Sequence, residues 1–126
     1  MHIHHIAIWV SNLNTVAQFY VKYFGASHSS VYTNEKKQFS SVFVYFEQGA
    51  ALELMHKPGY AHASMPLAYG YTHIAISVGN AGKVDALTQK IASDGFEVLS
   101  LPRKTGDGYY ESVVCDPDGN MVEITV

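Results

Sequence analysis

The chain has a single cysteine, a single tryptophan and four prolines in 126 residues. Cys115 has no second cysteine to pair with, so no internal disulfide braces the fold, and a reducing cytoplasm is the natural setting. Charge is sparse. Asp, Glu, Lys and Arg make up 15% of the residues, the formal net charge is −3, and no Lys/Arg cluster occurs, which argues against nucleic acid as the partner. No apolar run approaches the ~20 residues that a membrane-spanning helix requires. The start, Met1-His2-Ile3-His4-His5, has neither the basic nor the apolar region of a signal peptide. These absences leave a cytoplasmic globular chain of one-domain length, with no membrane partner.

What is present in excess is histidine and tyrosine, seven and nine residues, and a pattern that occurs twice. His5-Ile6-Ala7-Ile8 returns as His73-Ile74-Ala75-Ile76. Each copy is followed by a helical pattern and then by short strands. Each half then reaches a lone carboxylate between apolar neighbours, Leu52-Glu53-Leu54 and Val122-Glu123-Ile124. The interval from His to Glu is 48 residues in the first half and 50 in the second. The chain therefore reads as one domain, 1–126, made of two repeats, 1–60 and 66–126, each contributing one imidazole and one carboxylate.

In the first repeat, alternation predicts a strand from His2 to Val10, with Ile6, Ile8 and Val10 on one face and Ile3, His5, Ala7 and Trp9 on the other. Ser11 or Asn12 caps a helix whose inward stripe is Leu13, Val16, Ala17, Tyr20 and Phe24, with the Tyr20 hydroxyl near the rim, and Gly25 ends it. An edge strand near Ser29–Thr33 and strands Ser41–Phe46 and Ala50–His56 follow, and Lys57–Gly70 links the halves. The second repeat has a strand Tyr71–Val78, an Asn80-capped helix with Val84, Leu87 and Ile91 inward, and a strand Phe96–Leu101. A loop Pro102–Gly108, a strand Tyr109–Cys115, the turn Asp116-Pro117-Asp118-Gly119 and a last strand Met121–Val126 complete it. Each half is thus β-α-β-β-β. One helix covers one face of such a sheet and leaves the other to line a cavity, so the fold class is α+β: two βαβββ modules pairing into a curved mixed sheet.

Parity places His5, Glu53, His73 and Glu123 on the face away from the helix. A carboxylate enclosed among apolar groups is costly without a cation or hydrogen bonds. Two imidazoles and two carboxylates suit one divalent ion per site, Ni, Zn, Co or Mn; they suit Mg poorly and offer no thiolate to copper(I). Any one of the four alone reads as a packed or surface His, or a solvated Glu, far more often than as a ligand. The matched recurrence of all four is what argues for a ligand set.

The paired His-Ile-Ala-Ile strands, the Glu-bearing strands and the Asp116-Pro117-Asp118-Gly119 turn before the last Glu resemble the vicinal oxygen chelate (glyoxalase/bleomycin resistance/extradiol dioxygenase) superfamily. The likeness extends over the whole chain and is nearest to small bacterial glyoxalase I-like proteins. The resemblance implies the vicinal oxygen chelate fold and a metal-dependent lyase or isomerase. Such an enzyme acts on a small α-hydroxy-carbonyl or thiol adduct through a metal-bound enediolate, with Glu123 or Glu53 leaving the metal to shuttle the proton. It further implies a homodimer in which His5 and Glu53 of one chain meet His73 and Glu123 of the other. A non-catalytic, drug-sequestering protein is the alternative on the same fold. An iron-dependent extradiol dioxygenase is a third reading, against which the second Glu counts.

Two departures bear on substrate. Glutathione-dependent relatives carry an Arg four residues after the first ligand His, where this chain has Trp9, and an indole forms no bidentate ion pair. If residues 116 and 120 flank the last turn, Val113 lies opposite Glu123, and Tyr109, Glu111, Val113 and Cys115 face inward. Glu111 would then disfavour an anionic head group; with the register slipped by one it is solvated, and the sequence leaves both open. Trp9, Glu111 and Tyr109 are the candidate substrate-binding residues. The loop Arg103–Gly108 reads either as a lid over the site or as a plain hairpin connection.

Overall fold

The computed structural model describes residues 1–61, 69–106 and 108–126. The chain divides into two compact units, Met1–Pro66 and Leu67–Val126.

In the first unit, strand β1 (His5–Trp9) leads into helix α1 (Leu13–Phe24), followed by β2 (Ser27–His28), β3 (Tyr32–Asn34), β4 (Phe39–Tyr45) and β5 (Ala51–His56). The sheet order is β1-β5-β4-β2, with β3 also pairing with β4. Asn12, not Ser11, caps α1: its backbone is extended and its Oδ1 accepts the Thr15 N–H at 3.0 Å. Gly25 closes the helix at φ 65°, a left-handed conformation that side chains resist. Val16, Ala17, Phe19, Tyr20 and Tyr23 of α1 are buried above the even-numbered residues Val42, Val44, Leu52 and Leu54. The stripe is shifted from the expected one: Phe19 and Tyr23 are buried, while Leu13 and Phe24 are half-buried. Tyr20 is fully buried, hydroxyl included, because Phe19, Phe24 and Phe46 close around its ring. β1 begins at His5 rather than His2, where pairing with β5 starts, and the expected single edge strand is two short ones.

The second unit holds β6 (Ile74–Ser77), α2 (Ala81–Ser93), β7 (Val98–Lys104), β8 (Tyr110–Cys115) and β9 (Met121–Thr125), with sheet order β6-β9-β8-β7. Asn80 caps α2 through the Lys83 N–H. Val84, Thr88 and Ile91 are buried against Ser112, Val114, Val122 and Ile124. Thr88 takes the core place expected of Leu87, which is half-buried. Its hydroxyl is satisfied by the Val84 carbonyl at 2.7 Å and by the Ser112 hydroxyl at 2.6 Å. The strand expected to stop at Leu101 continues to Lys104. Pro102 does not end it, because β7 is an edge strand and a missing N–H is tolerated there. Of the expected inter-repeat linker, residues 62–68 lie outside the described residues, as does Asp107 of the expected loop.

In both units the helix takes one face of its sheet. The opposite face carries the odd-numbered side chains, and the candidate site residues stand on it.

Candidate metal centre and substrate face

Each unit builds the same pair, with one difference: His5 opens β1, whereas His73 stands one residue before β6, which starts at Ile74 rather than at the expected Tyr71. β1 runs parallel to β5 with Ala7 opposite Glu53, and β6 runs parallel to β9 with Ala75 opposite Glu123. Each His lies two residues before that Ala, on the same face, so it sits diagonally from the Glu, within reach of its side chain. A methyl group beside each carboxylate leaves room for the imidazole to lean in. The His5 Nε2–Glu53 Oε2 distance is 3.7 Å, and the His73 Nε2–Glu123 Oε2 distance is 3.3 Å. Exposures match as well, 39% for both His side chains and 18% and 16% for the two Glu. The carboxylates are mostly covered, and their neighbours across the sheet are Ala7 and Phe43, or Ala75 and Val113. The imidazole offers each carboxylate a polar contact, and a cation placed between them would satisfy both.

Each pair supplies two donors. Among the described residues no three His, Cys, Asp or Glu side chains gather as a metal-holding group. The donors are imidazole nitrogen and carboxylate oxygen, a set that fits a borderline divalent cation once two pairs act together.

His5 has a partner that sequence reasoning passed over. Its Nδ1 lies 2.8 Å from Nδ1 of His4, with the rings edge to face. When the His5 Nδ1–H donates to His4, the His5 Nε2 lone pair is left for Glu53's side of the strand, the arrangement that orients a metal-binding His. On its other side the ring meets Phe43, centroids 5.4 Å apart.

The last turn settles the orientation of Glu111. The Asp116 N–H donates to the Asn120 carbonyl at 2.9 Å, so 116 and 120 flank the turn, and Val113 pairs with Glu123. Glu111 is therefore on the Glu123 face, opposite Thr125, and its side chain is 14% exposed. It is not an unopposed acid. Arg103, expected in a loop, lies on β7 directly across from it, Nη2 to Oε1 3.6 Å, so the charge assigned to Glu111 as a barrier to anions is offset. Tyr109 is exposed, whereas Tyr110 turns to the helix side and donates to Asp85 of α2 at 2.7 Å, which raises its pKa. Cys115 is buried and close to Glu97; burial first, then that carboxylate, hold its thiol above the ordinary range.

In the first unit Trp9 stands on the His5 face and is 45% exposed. It packs against Tyr60, centroids 4.6 Å apart, and edge-on to Phe39 at 6.5 Å. With Met55, Lys36, Lys37, Gln38 and Lys57 these rings line an open cleft of about 560 Å³. The alternation of β5 could have revealed Met55 beside Trp9, but nothing local in the sequence signals Lys36, Lys37 or Tyr60.

Two α+β units, each with a His and a Glu converging on the sheet face away from its helix, define the class of fold. The family model described as Glyoxalase/Bleomycin resistance protein/Dioxygenase superfamily matches residues 2–124, and the chain belongs to that superfamily. It is 30% identical to the uncharacterized protein YqjT of Bacillus subtilis (strain 168) over 131 residues, covering 96% of this chain and 95% of that one. Among solved structures it resembles a glyoxalase family protein from Enterococcus faecalis, with 26% identity, TM-score 0.79 and coverage of 99% and 97% of the two chains. Glyoxalase I from Zea mays matches at 23% identity and TM-score 0.80 over 98% of this chain, which spans 44% of the maize protein. A glyoxylase/bleomycin resistance protein/dioxygenase domain from Frankia matches at 15% identity and TM-score 0.84, with coverage of 100% and 97%. These structures share the vicinal oxygen chelate fold with this chain. Among the described residues no helix is long and apolar enough to cross a membrane.

Proposed function

We propose that the protein is a divalent-metal-dependent lyase or isomerase of the glyoxalase type, acting on a small α-hydroxy-carbonyl or thiol adduct. The observation that carries this reading is the duplicated pair: His5 with Glu53 and His73 with Glu123, matched in register, distance and exposure. His5, Glu53, His73 and Glu123 would hold the ion. When bound, it supplies Lewis acidity toward two adjacent substrate oxygens. A four-ligand site needs two pairs, and we assign them to two copies of the chain, making the protein a homodimer.

The residues' own chemistry follows from their surroundings. Glu123 or Glu53 would take a proton from one substrate carbon and return it to its neighbour. Their mostly covered carboxylates have an alanine on one side, Ala7 or Ala75, and Phe43 or Val113 on the other. His5 and His73 would hold the ion beside them through their Nε2 atoms.

Proton transfer at carbon is tested directly by deuterium uptake from D₂O into a small α-hydroxy ketone, followed by NMR. Exchange is expected with the metal-loaded protein, and it should fall by about 10²-fold or more when Glu123 or Glu53 becomes Gln, the scale of a general base. Equal exchange in both variants would refute the assignment. Absence of exchange with retained ligand binding would favour the sequestering alternative, which the aromatic cleft at Trp9 also serves.

A further inference from the structure

The cleft beside Trp9 combines two properties that sequence reasoning did not join, and we propose that it binds the anionic, aromatic end of a small ligand. The inference rests on the reading of this sheet face as the substrate face and deepens it by naming a substrate class. All the lining residues lie in the first unit. Trp9, Phe39 and Tyr60 present ring surfaces at mutual angles of 86° and 55° with Trp9, so they form a corner rather than a flat stack. Such a corner accepts a planar ring against one face and an edge. Met55 forms the floor, directly across from Trp9 on the neighbouring strand.

The rim carries charge of one sign. Lys36 and Lys37 come from the β3–β4 turn, Lys57 follows β5, and no carboxylate is among the lining residues. The turn is held by structure specific to it. The Asn34 side chain accepts the Lys37 N–H at 3.0 Å, and Gln38 adopts φ 54°, the only non-glycine residue with positive φ among those described. A left-handed Gln costs energy that Gly would not, and here it fixes where the chain turns from Lys37 into Phe39. Lys57 lies 5.7 Å from the Tyr60 ring centroid, its ammonium shared between that ring and the cleft. Three ammonium groups around an aromatic corner select a negatively charged planar group.

The position along the sheet suits a substrate that reaches the metal pairs. Met55 is two residues from Glu53 on β5, so a ligand anchored on the floor has its other end roughly 7 Å away, at the carboxylate. The place where relatives carry an Arg is thus given to an indole, while the positive charge stands on the cleft rim instead.

Trp9 is the only tryptophan, so its emission reports on this cleft alone. The probe is phenylacetate, titrated by tryptophan emission and by calorimetry, with phenylacetamide and cyclohexylacetate as controls. Phenylacetate should bind about tenfold or more tighter than the neutral amide, the effect of one charge-assisted contact, and the preference should weaken with salt. Cyclohexylacetate should bind several-fold more weakly for want of ring contacts. The triple variant Lys36→Gln/Lys37→Gln/Lys57→Gln changes only lysines on the cleft rim and should bring acid and amide within about twofold. Lys36→Glu/Lys37→Glu should turn the preference toward phenethylamine. The titrations are run on EDTA-treated and on metal-loaded protein, and the discrimination should persist in both. That outcome with no metal uptake would remove the metal reading and leave this one standing. Equal binding of acid and amide by the wild type, no binding of either, or undiminished discrimination in the triple variant would overturn it.

Discussion

Asp116 should be worth more to this protein than a turn aspartate ordinarily is. It is 3% exposed and accepts at both oxygens: Oδ1 from the Asp118 N–H and the Asn120 N–H, each at 2.9 Å, and from Asn120 Nδ2 at 3.2 Å; Oδ2 from Asn120 Nδ2 at 3.0 Å. These bonds shape the turn that places Val113 opposite Glu123 and so aims Glu123 and Glu111. Asp116→Ala strands two part-buried backbone donors and one amide. Unpaired donors cost roughly 1–3 kcal/mol each, and relief from burying the carboxylate offsets part, so a net loss of about 3 kcal/mol is expected. Asp116→Asn keeps both backbone donors satisfied but sets amide against amide at Asn120, a loss of about 1 kcal/mol. Burial holds the Asp116 carboxyl above its ordinary value, although the hydrogen bonds from Asn120 and Asp118 work against it. The folded protein therefore keeps this proton where the unfolded chain has released it. Its contribution to stability is full below the ordinary aspartate range and is lost as pH rises through the raised folded value. Urea denaturation of wild type and both variants across mildly acid pH measures all three effects. A loss below about 1 kcal/mol for Asp116→Ala, or wild-type stability that rises relative to Asp116→Asn across that window, would refute the reasoning.

Three further outcomes are open to simple assays. Replacing His4 by Phe keeps an aromatic ring beside His5 but removes its Nδ1 partner, and metal affinity should fall by about 10-fold with little change in stability, as read by competition with a chromophoric chelator. Cys115 should resist iodoacetamide in the folded protein and react promptly in urea, since burial and Glu97 keep it a thiol; fast native labelling would contradict its placement. Turnover of the methylglyoxal–glutathione hemithioacetal should be weak, because Trp9 offers no ion pair to a glutathione carboxylate and the aromatic corner between the rim lysines is shaped for an anion carrying a planar ring, which the tripeptide lacks. Trp9→Arg should raise kcat/KM by about tenfold or more, the scale of one charge-assisted contact, and robust wild-type turnover would show that other residues hold the tripeptide.

The sequence made the strand faces legible where polar and apolar residues alternate strictly. His5, Ala7 and Trp9 against Ile6 and Ile8, and Glu53 and Glu123 against their aliphatic neighbours, stand on the faces that alternation assigns. Helix caps were equally plain at Gly25 and Asn80, since capping is a property of a few adjacent residues, whereas the choice between Ser11 and Asn12 needed the structure. What required structure was anything set by pairing at a distance. The orientation of Glu111 depended on the turn length at Asp116, and its partner Arg103 was hidden by Pro102, which reads as a strand end but is tolerated on an edge. The Trp9 cleft is assembled by the β3–β4 hairpin folding beside β5, which brings residues 36–38 and 60 to residue 9 without any local signature. Tyr20 lies deeper than its amphipathic side chain suggests because three other rings enclose it.

The most direct test of the metal assignment is the metal content of the purified protein by elemental analysis after dialysis against Ni, Zn, Co and Mn in turn. Wild type should retain about one divalent ion per set of two His and two Glu, and His73→Ala and Glu123→Gln should each lose tight retention. No retention by the wild type, or unchanged content in both variants, would contradict the assignment of His5, Glu53, His73 and Glu123 as the ligands.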